Sequence, residues 1–350
     1  MPTQAGVIEG AYLRDILEQP AAMRRTTDSL ATSAPLIADV LALCRTHSID
    51  RIILTGMGSS FHALHPLQIR LTLAGHYSQM VETSEAIHYL PGLFTRNTLT
   101  IAVSQSGESA EVVRLLRDGH LNGPVIGVTN TPGSTLATVA NLTFLTSAGP
   151  ESTVSCKTYL AGLQALHWLG AIFLNEKMST TAEDLEAAAI AVGGYLDHWQ
   201  AHAASLYDAL DGIEQIFITG RGYSLATAGT GGLILKESTR SSSEGMSSAA
   251  FRHGPLEMLS RRVLACICLG DPRTASLNQR LHQEVSRTTA KTFLIGPGSD
   301  HPAFDIPALP APLLPILEIH PVQMLSLALA ARLGFEAGSF ALASKITATE

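Results

Sequence analysis

The chain has 350 residues, enough for two domains of ordinary size or one large α/β unit. Hydrophobic residues make up 46% and charged residues 15%, at a formal net charge of −7, so much of the chain is expected to be buried. That balance excludes nucleic acid as the main partner, because gripping a phosphate backbone needs clustered Lys and Arg. Cys44, Cys156, Cys266 and Cys268 fit no zinc or redox spacing, which points to a reducing, cytoplasmic setting.

The first 48 or so residues read as helical, with apolar Leu13, Ile16 and Leu17, then Leu36, Val40, Leu41 and Leu43. Met1-Pro2-Thr3-Gln4 opens no basic region and no apolar core, so no signal peptide is expected. A strand is predicted at 51–56, followed by the turn Met57-Gly58-Ser59-Ser60 and a helix from Phe61. Further strands are predicted at 79–83, 99–103, 125–129 and 142–145, most of them separated by helical segments. Strands alternating with helical patterns imply parallel pairing through right-handed crossovers.

The strand at 99–103 runs into Ser104-Gln105-Ser106-Gly107-Glu108-Ser109, and a helical pattern begins at Ala110. Strand, serine-rich turn and helix start together make an anion cradle. The first amides of a helix lack internal partners, the helix dipole adds partial positive charge, and serine hydroxyls rotate to donate to phosphate oxygens. No lysine follows the glycine, so this is not the nucleotide-triphosphate loop, and a single phosphate monoester such as a sugar phosphate suits it. Taken alone, the stretch fits a serine-rich helix cap with no ligand as well.

A long helical region is predicted at 157–210, after which the scheme repeats. A strand at 214–220 leads into Arg221-Gly222-Tyr223-Ser224, and more strands are expected at 263–269, 292–295 and 313–319, the last followed by a buried helix rather than a membrane span. The turns from Thr55 and from Thr219 share the form Thr-Gly-x-Gly-x-Ser, an internal duplication of one doubly wound domain. Neither turn continues as GxGxxG with an acidic residue about 20 positions on, so no nicotinamide cofactor is expected. His62 and His65 are three apart without a carboxylate or cysteine at ligand spacing, so no metal is expected there.

Several separated motifs resemble the sugar isomerase (SIS) family, over nearly the whole chain from about residue 50. Ser104–Ser109 is similar to its SQSGE[ST] signature, and the paired Thr-Gly-x-Gly-x-Ser turns are similar to its tandem copies. Ala148-Gly149-Pro150-Glu151 with Lys157 resembles the AGPE…K stretch between them. Lys236-Glu237 with His253-Gly254-Pro255, and the terminal Ser344-Lys345, resemble the isomerase half of glucosamine-6-phosphate synthases. The implied fold is α/β: two doubly wound, flavodoxin-like SIS domains at 49–175 and 211–338. They are preceded by a helical segment at 1–48, joined by helices at 176–210, and followed by a tail at 339–350 that closes on the active site.

The resemblance also implies a chemistry. Gly58, Ser59, Ser60, Ser104, Gln105, Ser106, Ser109, Thr153 and Ser344 would bind a sugar phosphate. Glu237 would shuttle a proton between adjacent carbons, and His253, reaching in from the other subunit of a homodimer, would open the sugar ring. Lys345 would form an imine or close the tail electrostatically. The chain departs from the synthase at Ile234, where the family has a lysine, and residue 2 is proline rather than the glutaminase cysteine. The expectation is therefore a cytoplasmic aminosugar-phosphate deaminase that needs no cofactor, membrane or nucleic acid. The alternatives are a fructosamine-6-phosphate deglycase or ketose/aldose isomerase, and a non-catalytic phosphosugar sensor.

Overall fold

The computed structural model describes residues 8–32, 35–340, 342 and 345. Three helices come first: α1 (Ala11–Leu17), α2 (Gln19–Thr32) and α3 (Pro35–Thr46). Tyr12, Leu13 and Ile16 form the buried stripe of α1, the helical spacing visible in the sequence.

The first sheet contains β1 (Arg51–Gly56), β2 (Ser78–Glu82), β3 (Thr98–Val103), β4 (Val125–Thr129) and β5 (Leu142–Leu145), all parallel, in the order β2-β1-β3-β4-β5. Its crossovers carry α4 (Gly58–His62), α5 (His65–Leu73), α6 (Thr83–Tyr89), α7 (Ala110–Arg117) and α8 (Thr135–Val139). β3 and β4 are buried at every residue, because a parallel sheet is covered on both faces and its central strands must be apolar throughout. One set of contacts joins Ile53, Val81, Ile87, Phe94 and Leu115, and another joins Ala102, Val112, Val125 and Leu136. The order reverses between β1 and β3, so the sheet has its switch point there.

The region 157–210 is helical as predicted, in three pieces: α9 (Lys157–Phe173), α10 (Met178–Leu196) and α11 (Trp199–Ala209). A second parallel sheet follows, built from β6 (Gln215–Gly220), α12 (Leu225–Thr239), β7 (Ser242–Ser247), α13 (Ser248–Arg252), β8 (Val263–Cys268), α14 (Ala275–Val285) and β9 (Lys291–Ile295). Its order, β7-β6-β8-β9, repeats the first sheet without a fifth strand. Phe217 and Phe251 meet edge to face, 5.1 Å between ring centroids, at the centre of its core.

The strand expected at 313–319 is instead the start of one helix, α15 (Leu314–Leu333), which ends at Gly334 in the left-handed region, φ +81°. Every residue from Pro315 to Ala330 is buried. A helix buried all round shows no amphipathic period, and a short apolar run then reads equally well as a strand. Pro321 lies inside the helix rather than ending it. Among the described residues, Ala311–Leu333 is long and apolar enough to cross a bilayer, but 94% of its apolar window is buried within the protein, as in a core helix.

The chain clusters into two compact units. One holds α1, residues 152–156, and the second sheet with α11 to α15. The other holds α2, α3, the first sheet, α9 and Lys345. α10 passes from one to the other after Ala189.

Candidate active site

β1 and β3 are hydrogen-bonded neighbours whose last register pair is Gly56 with Val103. The turn at 57–60 and the loop at 104–109 therefore leave the sheet side by side at the switch point, where ligands of open α/β sheets bind. The loop is braced from below. The Ser104 N–H donates to Val128 O (3.1 Å), the Asn130 N–H to Gln105 O (3.0 Å), and the Leu136 N–H to Gly107 O (3.1 Å). Gly107 turns the loop at φ +66°, and a β-carbon there would collide with the Ser134 hydroxyl, so only glycine fits.

The serines keep close company. The Gly107 N–H donates to Ser104 Oγ (3.1 Å), the Glu108 N–H to Ser106 Oγ (3.1 Å), and Ser104 Oγ lies 3.3 Å from Ser109 Oγ. Ser109 is the N-cap residue of α7, yet its hydroxyl makes no capping bond and faces Ser104 instead. The cap that sequence alone allowed is not how that hydroxyl is used. Glu108 accepts from the Thr135 N–H (2.5 Å) and hydroxyl (2.9 Å), which ties the loop to the start of α8. Ser59 is buried and Ser60 half-buried in the first turn of α4, after Gly58 at φ +53°. His62 and His65 stack in parallel at 6.4 Å, and burial lowers the His65 pKa to about 4, leaving a neutral ring at physiological pH.

A cleft of about 490 Å³ opens beside the loop at the carboxyl ends of these strands, lined by Gln105, Asn130, Thr131, Ser147 and Glu151 among others. Asn130 shapes its rim: its side-chain amide donates to Gly149 O (2.8 Å), while Oδ1 accepts from the Ala148 N–H (2.7 Å) and the Thr146 hydroxyl (3.0 Å). The Glu151 carboxylate is fully buried. It accepts from the Thr158 N–H (3.1 Å) and hydroxyl (2.5 Å), and from Lys345 Nζ (2.6 Å). Sequence reasoning placed Glu151 in a motif without a role; its partner is a residue far along the chain.

The remaining predicted residues belong to the other unit. Glu237 sits half-buried in the last turn of α12, with Ile234 wholly buried one turn earlier and Lys236 exposed. α12 lies backbone against backbone on β7, since a β-carbon at Gly232 would meet the Gly245 amide nitrogen. His253 ends α13 and is exposed, its N–H donating to Ala250 O (2.9 Å). Thr153 is half-buried in the 152–156 segment, and Ser344 lies outside the described residues.

The structure thus brings Ser104, Ser106 and Ser109 into one cluster, with Gln105 on the cleft wall and Gly58–Ser60 on the neighbouring strand end. The sequence profile of the SIS domain matches residues 47–171 and again 210–332. This chain belongs to the SIS domain family. Among relatives of this SIS chain, the glutamine–fructose-6-phosphate aminotransferase (isomerizing) of Pyrococcus horikoshii is 30% identical over 345 residues, covering 93% of this chain and 56% of that protein. The chain spans about half the length of the known relatives it matches. The C-terminal domain of glucosamine-fructose-6-phosphate aminotransferase from Francisella tularensis superposes with a TM-score of 0.80 at 22% identity, covering 97% of this chain and 99% of that one. Glucosamine-6-phosphate deaminase from Thermotoga maritima superposes at 0.73 and 18% identity, covering 93% and 96%. At those identities the superpositions establish the tandem SIS fold.

The second SIS copy repeats the turn but not the loop. After β8 the chain carries Gly270-Asp271-Pro272-Arg273 in place of serines. Asp271 is buried and accepts from the Arg273 N–H (2.8 Å) and from its guanidinium at Nε and Nη2 (3.2 Å each). Ser224, the last residue of the repeated turn, donates to Glu318 (2.8 Å), and Thr227 donates to the same carboxylate (2.9 Å). Burial lifts the Glu318 pKa to about 7, against the lowering pull of those two hydroxyls, and the Asp271 charge adds to the rise.

Proposed function

We propose that this SIS chain binds a hexose phosphate through its first copy and catalyses deaminating isomerisation, converting glucosamine 6-phosphate and water to fructose 6-phosphate and ammonia. The carrying observation is the cluster of Ser104, Ser106 and Ser109 hydroxyls beside the 57–60 turn at the switch point of the first sheet. Hydroxyls and amides converging there suit a phosphate monoester. In the proposed sequence His253 of the neighbouring subunit opens the ring, and the Lys345 ammonium closes on the open chain electrostatically, balancing the negative charge that develops as the C2 proton leaves. Glu237 then takes the proton from C2 and returns it to C1, so the C1 aldehyde becomes an alcohol and the C2 amine an imine. Water adds to C2 and ammonia leaves, giving the ketose.

Purified protein supplied with glucosamine 6-phosphate should release ammonia and fructose 6-phosphate in equal amounts. Neither product, with phosphosugar binding intact, would overturn the enzyme reading in favour of a sensor. Ketose/aldose interconversion without ammonia would leave the isomerase alternative. Glu237→Gln should lower turnover at least about 1,000-fold while ligand affinity stays within threefold. Mixing Glu237→Gln with His253→Ala subunits should restore roughly a quarter of wild-type turnover, since random pairing makes half the dimers mixed and each mixed dimer holds one intact site. No restoration would remove the shared-site part of the reading.

A further inference from the structure

We infer that Glu151 is the positioning residue for the terminal lysine, a buried carboxylate that draws Lys345 to the edge of the cleft beside the serine loop. The kinetic part of this inference rests on the function proposed above; the placement does not. The Glu151 side chain has no exposed surface, while that of Lys345 keeps 20%. An ion pair in open solvent holds little, but a carboxylate out of water is costly unless donors and a cation surround it. Thr158 supplies two neutral donors at the first turn of α9, whose dipole also favours a negative charge, and Lys345 Nζ at 2.6 Å supplies the cation.

Two features make this an anchor rather than an incidental contact. Glu151 is separated from Lys345 by 194 positions, so the pair ties Lys345 to the first SIS copy from a distant part of the chain. Glu151 also lines the same cleft as Gln105 of the serine loop, so its partner ammonium is held close to the wall of that cleft. Glu151 acts on the reaction through Lys345, by fixing where that nitrogen stands.

The placement is tested on the unliganded protein through the rate at which N-hydroxysuccinimide acetate acylates Lys345, followed by peptide mass spectrometry. Glu151→Gln keeps an acceptor for Thr158 and removes the charge, and should speed acylation at least 10-fold. Glu151→Asp should return the rate to within threefold of wild type. An unchanged rate in Glu151→Gln overturns the anchor. Should Glu151→Gln fold poorly, Lys345→Met gives the same answer from the other side. It strands a buried carboxylate and should lower the thermal midpoint by about 4 °C. A midpoint unmoved by Lys345→Met also overturns it. In turnover, Glu151→Gln should lower kcat at least 50-fold with KM within threefold, a split that general loosening of the fold would not produce. Faster acylation with unchanged kcat would uphold the anchor and refute the part given to Lys345 in the reaction.

Discussion

After β1 and after β6 the chain makes the same Thr-Gly-x-Gly-x-Ser turn, but the groups facing the two turns differ in charge. The first copy answers with serine hydroxyls and a glycine at positive φ; the second answers with Asp271 and Glu318, both buried. A phosphate 5 Å from a carboxylate would be repelled by about 3 kcal/mol per charge pair at an effective dielectric of 20. A duplicated turn therefore marks a place in the fold, and the loop opposite it decides whether an anion is welcome. In the second copy the hydroxyls of Ser224 and Thr227 are spent on Glu318, so the chain satisfies its own donors there.

The comparison breaks most severely at Gly107. Gly107→Val would force a left-handed backbone on a β-branched residue and drive its side chain into Ser134, so hexose phosphate affinity should fall at least about 100-fold by titration calorimetry. Ser106→Ala should cost roughly 10-fold in the same measurement, the usual weight of one hydroxyl on a charged ligand. If either variant binds normally, the first loop is not the phosphate site.

Glu318 sharpens the comparison through pH. Its folded pKa, about 7, lies above its ordinary value of 4.5, so the native state holds the proton more tightly than the unfolded chain. That contribution is fully present below about pH 4.5 and is lost as pH rises to 7, roughly 3 kcal/mol across the window. His320 and His167 act in the opposite sense: burial lowers them to about 4 and about 3, so they weaken the fold as pH falls below 6.5. Subtracting Glu318→Gln from wild type isolates the carboxyl. The variant should gain on wild type in urea midpoint from pH 4.5 to 7 and hold that gain above 7; a pH-independent difference would refute the shift. The smallest effect is expected at Asp271→Asn, which should leave hexose phosphate affinity within about twofold while lowering stability by about 1 kcal/mol through its weakened hold on Arg273. A loss of binding there would mean both copies serve the ligand.

Much of this was legible from residue order. Buried parallel strands are apolar without interruption, so β1, β3, β4, β6 and β8 stood out, and the serine loop was visible because its residue types are unusual between a strand and a helix. β7 escaped because Ser242–Ser247 is a polar edge strand, recognisable only by its pairing with β6. α15 was misjudged at its start because full burial erases periodicity, and its interior Pro321 imitates a boundary.

The order of residues by itself determined the duplicated α/β pattern, the two matching turns and the serine signature, since each depends on neighbours a few positions apart. Tertiary structure alone decided that Glu151 holds Lys345 and that Ser224 is consumed by Glu318. Those pairings depend on which groups lose their water together, and burial of that kind is set by strands and helices brought into contact from distant parts of the chain.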